Sequence, residues 1–273
     1  MDDASTDKSL ELITTEFHGI TVFRNETNRG KSWSLNRGIT SSRGEFVIVT
    51  DPDLIFHANL IEKWVNVLIQ NRKIGVCGCY VYYNDSKHLL TRAGARFDER
   101  RGAHYHPRLN IRLDYRDERY EESSSWVFDD LYIVRRSALQ DVGGYDYQNF
   151  STIYEEADLQ LRISAAGYTK AVVPGARAYH AVPVETWSQL RRYSKYKLEL
   201  LCRNRFILIR KLGLSTLPRT SAVLVRLFLF YTFVAFIQPV SLREKASLFK
   251  SVVRGISRGL FDPIITNSPE SDY

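Results

Sequence analysis

Two uninterrupted apolar runs, separated by an amphipathic helical pattern, constrain this chain more than any other feature. The runs are GEFVIVT, residues 44–50, and IGVCGCYVYY, residues 74–83, and residues 60–70 between them place their apolar side chains along one helical face. Continuous apolar strands are typical of sheets that are buried on both faces. Their alternation with helices predicts an α/β fold with a mostly parallel sheet flanked by helices.

Further segments extend this alternation on both sides. Helices are predicted over residues 6–16, with Ser5 as the N-cap, and over residues 30–41. Another helix is predicted over residues 155–166, where Gly167 ends it. The stretch that follows the second apolar run is polar, rich in Arg and without periodicity, which predicts an extended hairpin or loop region over the sheet edge.

Charge divides the chain near residue 186. Residues 188–258 contain 15 Lys and Arg against 2 Asp and Glu, whereas the rest of the chain is acidic and the whole carries a net charge of +7. We therefore predict an α/β domain over residues 1–186 and a basic helical appendage over residues 187–273. A basic region of this kind suits an anionic membrane surface, a phosphate-bearing substrate or nucleic acid.

The apolar run Ala222–Ile237, interrupted by Arg226, narrows these alternatives. It is shorter than the ~20 residues that span a bilayer, so we predict a helix that lies in the membrane interface. Its phenylalanines suit a membrane surface better than nucleic acid, and we expect no nucleic-acid partner. The alternative is a pair of helices that pack on the α/β domain or on a second subunit.

The cysteines argue against a disulfide framework. There are three of them, Cys77, Cys79 and Cys202, and their spacing does not repeat. Cys77 and Cys79 lie two apart in a strand-like run and share one face. We interpret them as small buried hydrophobic residues in a reducing compartment.

Two carboxylates follow the first apolar run directly. Asp51 and Asp53 flank a proline at the point where the predicted strand ends. Ligands of α/β sheets bind at the carboxyl ends of parallel strands, and a pair of carboxylates there can hold a hard divalent cation against a diphosphate. An ordinary turn is the equally good alternative for these three residues taken alone.

Five other segments surround this pair in a fixed order. They are DDASTDKS (2–9), NRGKSWSLNRGI (28–39), GGYDYQNFSTIYEEADLQLRISAAGY (143–168), VVPGARAYH (172–180) and RNRFILIRK (203–211). In the same order they resemble motifs of family 2 glycosyltransferases, and the last resembles the R-N-R segment of the rhamnosyltransferase-like branch. Each match is modest, but together they cover nearly the whole chain.

The resemblance implies a fold, a reaction and a cofactor. The fold is GT-A, a Rossmann-like α/β fold, and the reaction is inverting transfer of a sugar from a nucleotide-diphosphate donor to a hydroxyl. The cofactor is Mg²⁺ or Mn²⁺. The metal ligands implied are Asp51, Asp53 and His180, with Asp53 as the direct ligand and Asp51 facing the ribose or the metal. A hydrogen-bonded packing histidine is the alternative for His180.

The resemblance also implies catalytic residues, Glu156 and Asp158. Glu156 occupies the position of the family's general base, with a side chain one methylene longer than the usual Asp. The alternative is an acidic helix N-terminus that favours the helix dipole. In that interpretation Asp158 pairs with Arg162 one turn later.

The donor-binding residues that the resemblance implies belong to the first 51 residues. Two match the segment that contacts the nucleobase, and the others match positions that the base and phosphates of the donor pass. They are Asp2, Asp3, Asn28, Lys31, Asn36 and Asp51. For Lys31, a solvent-facing side chain is the alternative.

Two departures from the family pattern bear on function. Family members begin about one βα unit before DDAS, so we expect an N-terminally truncated domain that lacks the first βα unit. A catalytically inactive remnant that binds an acceptor or a partner is therefore the alternative function. Small residues are usual where Asp129 and Asp130 stand, and contact with the acceptor or simple exposure both stay open for them.

The expected partners follow from the branch and from the basic appendage. They are a nucleotide-sugar donor, a saccharide or polyprenyl-linked acceptor, and a membrane surface. The expected location is the cytoplasmic face of the cell membrane, with peripheral attachment. The expected process is the synthesis of a cell-surface polysaccharide or glycolipid.

Overall fold

The computed structural model describes residues 1–99, 103–108, 110–113, 119–181 and 193–266, which form eight helices and eleven strands. The helices are α1 (Ser9–Glu16), α2 (Lys31–Ser41), α3 (Leu60–Gln70), α4 (Arg136–Val142), α5 (Glu155–Ala165), α6 (Lys195–Lys211), α7 (Leu217–Ile237) and α8 (Leu242–Phe261). The strands are β1 (Phe46–Thr50), β2 (Leu54–Phe56), β3 (Ile74–Tyr83), β4 (Leu89–Arg92), β5 (Ala95–Asp98), β6 (Ala103–Tyr105), β7 (Ile111–Arg112), β8 (Glu121–Ser123), β9 (Trp126–Val127), β10 (Leu131–Arg135) and β11 (Thr169–His180). The boundary predicted at residue 186 lies outside the described residues.

The central path of the main sheet has the strand order β1, β10, β3, β11, β2. The α/β architecture is confirmed, but the strand pairing is not mostly parallel, because among the described strands only β3 and β11 pair in parallel. β1, β3 and β11 do run in one direction, and β10 passes between β1 and β3 in the opposite direction. A continuous apolar pattern indicates burial rather than direction, so the sequence did not distinguish β10 from its neighbours.

Apolar layers cover both faces of this sheet. On one face, Leu60 and Trp64 of α3 pack with Cys77 and Cys79 of β3. On the other face, Leu159 of α5 packs against the opposite side chains of the same strands. Both cysteines are free and buried, which confirms their interpretation as small hydrophobic residues.

The N-terminal segment differs from its predicted form. α1 begins at Ser9 with Lys8 at the N-cap, so the prediction of Ser5 as the N-cap is wrong. The backbone N–H of Ser5 instead donates to the carboxylate of Asp2 over 3.2 Å, and this local turn keeps Ser5 outside the helix. An isolated parallel bridge between Asp2 and Arg24 joins this segment to the chain that precedes α2.

The predicted helical C-terminal region is confirmed. Its three helices share one apolar core, to which α6 contributes Phe206, α7 contributes Leu227 and α8 contributes Val252. α8 lies very close to α6, because a Cβ atom at Gly255 would meet the carbonyl oxygen of Glu199 at 2.3 Å. The region is therefore a packed helical unit within the described residues.

α6 also packs on the α/β domain. Its Leu208 shares a small apolar cluster with Phe150. The side-chain amide of Asn204 donates to the carbonyl oxygens of Thr152 and Ile153 over 2.9 and 2.8 Å. These contacts connect the basic helices directly to the loop that leads into α5.

α7 is longer than the apolar run that marks it in the sequence. The helix begins at Leu217 and spans 21 residues, so by length and composition it is able to cross a membrane. This corrects the estimate that was based on a run beginning at Ala222. One face carries Tyr231 into the helical core, whereas Leu229 and Phe233 on another face are 63% and 61% exposed.

Candidate active site

Lys31 lies at the centre of a cluster of three carboxylates. Its Nζ atom is 2.7 Å from Oε1 of Glu156, 3.1 Å from Oδ1 of Asp51 and 3.6 Å from Oε1 of Glu155. The side chain of Lys31 is only 27% exposed, and those of Glu155 and Glu156 are buried. The alternative of a solvent-facing lysine is therefore wrong, and the cluster brings together residues from three separate segments.

Local structure explains how the lysine reaches this position. Lys31 is the first residue of α2, and Gly30 before it adopts φ of 90°. A Cβ atom at Gly30 would lie 3.2 Å from atoms of Ser151, so a larger residue would be crowded as well as strained. Asp3 fixes the same turn, since its carboxylate accepts the backbone N–H groups of Arg29 and Gly30 over 2.8 and 2.9 Å.

The three acids reach the cluster from two other places in the fold. Asp51 directly follows β1, and its backbone N–H donates to the carbonyl oxygen of Asp130 over 2.8 Å. Glu155 and Glu156 begin α5, immediately after Tyr154, which has a left-handed φ of 73°. A left-handed residue that is not glycine costs free energy, and here it turns the chain so that both acids start the helix.

Burial and charge shift the protonation of the whole cluster. Burial, assisted by the charge of Glu156, raises the pKa of Glu155 to about 8. Burial also raises the pKa of Glu156 and of Asp51, although Lys31 opposes the shift in both. Burial alone would lower the pKa of Lys31, but the charges of the three acids raise it instead. Because its pKa lies above 7, Glu155 is protonated at neutral pH, so Glu156 and Asp51 are the acids whose charge keeps Lys31 charged there.

The predicted metal ligands separate into two groups. Nε2 of His180 lies 3.3 Å from Oδ2 of Asp53, and the side chain of Asp53 is 46% exposed. The sheet causes this contact, because His180 pairs with Leu54 in the antiparallel ladder of β11 and β2. Asp51, the third predicted ligand, contacts Lys31 instead.

Asp158 contacts cations other than Lys31. Its Oδ2 atom accepts from Arg162 over 2.8 Å, as the simple helical pair predicts, and its Oδ1 atom accepts from Lys211 of α6 over 2.6 Å. Both oxygens of this buried carboxylate are therefore held by cations. The arrangement supports a structural role for Asp158 between α5 and α6, and does not support a catalytic one.

The predicted donor-binding residues differ in what their side chains contact. Asn36 is buried, and its amide both donates to and accepts from the backbone of Tyr145 over 2.8 Å, so it fixes a turn and does not face a ligand. Asp3 has both oxygens in hydrogen bonds, and these lower its pKa although burial opposes the shift. Asp2 pairs with Arg24 at 3.2 Å, and Asn28 is exposed.

Residues that the sequence left undecided lie beside the cluster. Asp130 forms an ion pair with Arg92, and Nε2 of His106 lies 3.8 Å from Oδ2 of Asp129. The carboxylates of Asp129 and Asp130 are about one-fifth exposed, so simple exposure is wrong for both. The sequence offered one signal for these residues, namely two acids where the family usually has small residues. It did not indicate which side chains the two acids contact.

Comparison with known proteins decides the family. The model of glycosyl transferase family 2 matches residues 1–143, which is just over half of the chain. The chain belongs to glycosyl transferase family 2. The sequence resemblance to family 2 glycosyltransferases is thereby confirmed, and the lysine cluster unites the early part of this match with the helix α5 that follows it.

The curated relatives of this chain are distant in sequence. An N-acetylglucosaminyl-diphospho-decaprenol L-rhamnosyltransferase of Mycobacterium tuberculosis is 26% identical over 198 residues, or 66% of this chain and 64% of that protein. An uncharacterized glycosyltransferase of Haemophilus influenzae is 29% identical over 85 residues, or 30% of this chain and 34% of its own. The family 2 chain thus spans less than two-thirds of the length of these relatives.

Solved structures show the fold of this family 2 chain. GalNAc-T7, solved with UDP, GalNAc and Mn²⁺, matches 92% of the chain and 46% of its own length with a TM-score of 0.54 and 16% identity. The mannosyltransferase PcManGT from Pyrobaculum calidifontis, solved with GDP-Man and Mn²⁺, matches 96% of the chain and 76% of its own with a TM-score of 0.50 and 17% identity. The predicted GT-A fold is confirmed.

Proposed function

We propose that this chain is an inverting, metal-dependent glycosyltransferase. It moves a sugar from a nucleotide-diphosphate donor to a hydroxyl of a saccharide or polyprenyl-linked acceptor. The observation that carries the proposal is the cluster of Lys31 with Asp51, Glu155 and Glu156. It joins a carboxylate that follows β1 to a pair of buried acids, and buried acids with shifted pKa values are typical of catalytic sites.

The contact between Asp53 and His180 fits a divalent cation. A carboxylate and an imidazole 3.3 Å apart are two suitable donors on one side of an ion, and the half-exposed Asp53 leaves the other side open to a ligand. The carboxylate suits Mg²⁺ or Mn²⁺, and the imidazole argues against Mg²⁺, which prefers oxygen ligands. The cation would neutralise charge on the leaving diphosphate. The matching structures that contain Mn²⁺ support this assignment by analogy.

Glu156 is the proposed general base. As the acceptor oxygen bonds to the anomeric carbon, the bond from that carbon to the donor phosphate breaks, and the acceptor proton passes to the Glu156 carboxylate. A base must be ionised, and the hydrogen bond from Lys31 favours the ionised form of Glu156. Glu155, whose pKa is about 8, stays protonated at neutral pH and is less suitable.

Lys31 is the proposed positioning residue for this base. It supplies the positive charge that Asp51 and Glu156 need when they lie together in a partly buried site. It is also a cation at a helix N-terminus that can bind the phosphates of the donor. The earlier donor-binding prediction for Lys31 is therefore kept, together with that for Asp51.

The basic helices support a lipid-linked acceptor at a membrane surface. The curated relative from Mycobacterium tuberculosis is described as acting on a decaprenol-linked sugar. In this chain, α7 exposes Leu229 and Phe233, and its neighbours in sequence are rich in Lys and Arg. Because Leu227 and Tyr231 of α7 pack in the helical core, we infer peripheral attachment to the cytoplasmic face of the membrane through the opposite face of this helix. We also infer a role in cell-surface polysaccharide or glycolipid synthesis.

The test is release of nucleoside diphosphate from UDP-, GDP- and dTDP-sugars by the full chain in Mn²⁺, with and without a polyprenyl-diphosphate-linked acceptor. We expect acceptor-dependent release from one donor class, loss of release in EDTA, and an inverted anomeric configuration of the product by NMR. Absence of turnover with every donor, together with binding of the lipid-linked acceptor, would instead support the inactive remnant.

A further inference from the structure

We propose that His104, His106 and Asp129 form a second cation site, which takes Zn²⁺ or a similar transition-metal ion. The site uses none of the residues assigned above to the donor or to its metal. The proposal does not depend on the proposed sugar transfer.

The fold brings two imidazoles and one carboxylate to one place. His104 lies in β6 and His106 follows that strand, so the two side chains share a side at a spacing of two residues. Asp129 lies between β9 and β10. One ligand atom from each of the three side chains lies within 4.8 Å of the others, and Nε2 of His106 is 3.8 Å from Oδ2 of Asp129.

Unsatisfied nitrogen atoms are the second observation. Within the described residues, Nδ1 of His104 and Nδ1 of His106 are buried and have no hydrogen-bond partner. Buried polar atoms nearly always have a partner, and the exceptions need an explanation. An ion bound by Nδ1 of both imidazoles and by the carboxylate of Asp129 would give each of these nitrogen atoms a partner.

The protonation of these side chains supports the assignment. Burial, with the charge of Arg205, lowers the pKa of His104 to about 4, and burial also lowers the pKa of His106. Both imidazoles are therefore neutral at physiological pH, as metal ligation requires. Burial raises the pKa of Asp129 to about 6, and a bound cation would favour its ionised form.

The donor set indicates the class of ion. Two imidazoles and one carboxylate with an open fourth position are a frequent zinc set. Mg²⁺ and Ca²⁺ prefer sites made of oxygen. Ligands about 2.1 Å from a tetrahedral ion lie about 3.4 Å from one another, so the three groups, which lie within 4.8 Å of one another, would need to close by at most about 1.4 Å.

The bound ion would restrain the residues that lead into α5. The ring of His104 lies 5.3 Å from that of Tyr154, the left-handed residue that precedes Glu155. Asp129 is adjacent to Asp130, whose carbonyl oxygen accepts from the backbone of Asp51. The site therefore connects β6 to both parts of the lysine cluster, and an ion there would restrain them relative to one another.

Co²⁺ and Zn²⁺ binding to the metal-stripped full chain tests the proposal. The Asp53→Ala variant serves as the parent, because it removes a ligand of the other proposed ion. We expect one Co²⁺ per chain, visible absorption bands of nitrogen-ligated Co²⁺, and displacement by Zn²⁺. Adding His104→Ala or Asp129→Asn should weaken binding at least ~10-fold, the scale reported for loss of supporting groups at metal sites.

The matched control is His18→Ala, since His18 is an exposed histidine two residues after α1, and it should leave Co²⁺ binding unchanged. Equal Co²⁺ affinity in the parent and in both site variants would overturn the proposal. If a variant does not fold, histidine modification in the parent decides. Zn²⁺ should protect His104 and His106, but not His18, from diethyl pyrocarbonate in peptide mapping, and equal labelling would overturn the site.

Discussion

The Nζ atom of Lys31 lies 2.7 Å from Oε1 of Glu156, although 125 residues separate them in the chain. This contact makes the first residue of α2 the counter-charge of the first turn of α5. Asp51 and Glu155 are also within 3.6 Å of the same nitrogen, so one cation contacts three acids and compensates the charge of Asp51 and Glu156. The pair therefore connects stability with the proposed chemistry, and substitution should affect both.

Lys31→Met should lower the free energy of unfolding. It leaves Asp51 and Glu156 without their cation, and removal of one partner of a buried ion pair costs ~3–5 kcal/mol. Because Lys31 is 27% exposed, we expect about half of that. Urea denaturation measures the change, and Lys8→Met at an exposed site is the control. The double variant with Glu156→Gln should recover part of the loss, and strict additivity would argue against the coupling.

Glu156→Gln should reduce turnover by ~10²-fold or more, the scale of a lost general base. Donor binding should change little, because the amide keeps the shape of the side chain. Initial rates and calorimetric titration of the donor measure the two effects. Glu155→Gln is the matched control and should be milder, since Glu155 is already protonated at neutral pH. A larger effect of Glu155→Gln would assign the base to that residue instead.

Asp53→Ala should abolish transfer and leave the fold intact. The side chain is 46% exposed and its described partner is His180, so its removal costs little stability. Turnover across a Mn²⁺ titration and the melting temperature provide the two measurements. His180→Ala should raise the Mn²⁺ concentration needed for half-maximal activity. Wild-type activity of Asp53→Ala would contradict a metal role for this pair.

Lys170→Met should stabilise the fold and change its pH dependence. Burial lowers the pKa of Lys170 to about 7 from an ordinary 10.5. Between these values the unfolded chain binds more protons, so the lysine's contribution to stability rises with pH, by about 1.4 kcal/mol per unit. The advantage of Lys170→Met should therefore be largest at pH 7 and shrink towards pH 9 in urea denaturation. A constant difference across this range would show that the lysine is not titrating there.

Leu229→Asp with Phe233→Asp should weaken binding to anionic vesicles. Each exposed apolar side chain that enters the membrane contributes about 1.5–3 kcal/mol, so we expect at least a ~10-fold loss in flotation. The control is Ile69→Asp on α3, because Ile69 is 63% exposed, as is Leu229. Unchanged flotation of the double variant, with an unchanged melting temperature, would exclude this face of α7 as the attachment surface.

The sequence predicted the helices and strands whose bounds depend on a local pattern of apolar residues. α3 and β3 have the bounds that their periodicity and continuous apolar character predicted. Asp53 and His180, predicted together as metal ligands, meet through the pairing of β2 with β11. These features depend on short-range patterns or on a resemblance that includes both residues.

The remaining features depend on contacts between distant segments. The direction of β10 was not predictable, because apolar strands of either direction have the same pattern. The surroundings of Lys31 were not predictable, because its partners follow 20 to 125 residues later. Asp158 fits a catalytic motif, but a lysine on α6 occupies one of its oxygens. A motif gives residue types, and such partners appear only when the chain is folded.

The hydrogen bonds from Asn204 to the carbonyl oxygens of Thr152 and Ile153 have a practical consequence for producing an active protein. They hold the strained turn of Ile153 and Tyr154, both with positive φ, directly before Glu155. A shortened chain that ends before α6, made to improve solubility, would lose these hydrogen bonds. We expect it to be inactive even if it remains folded. Solubility is better sought with detergent or lipid discs around the intact chain.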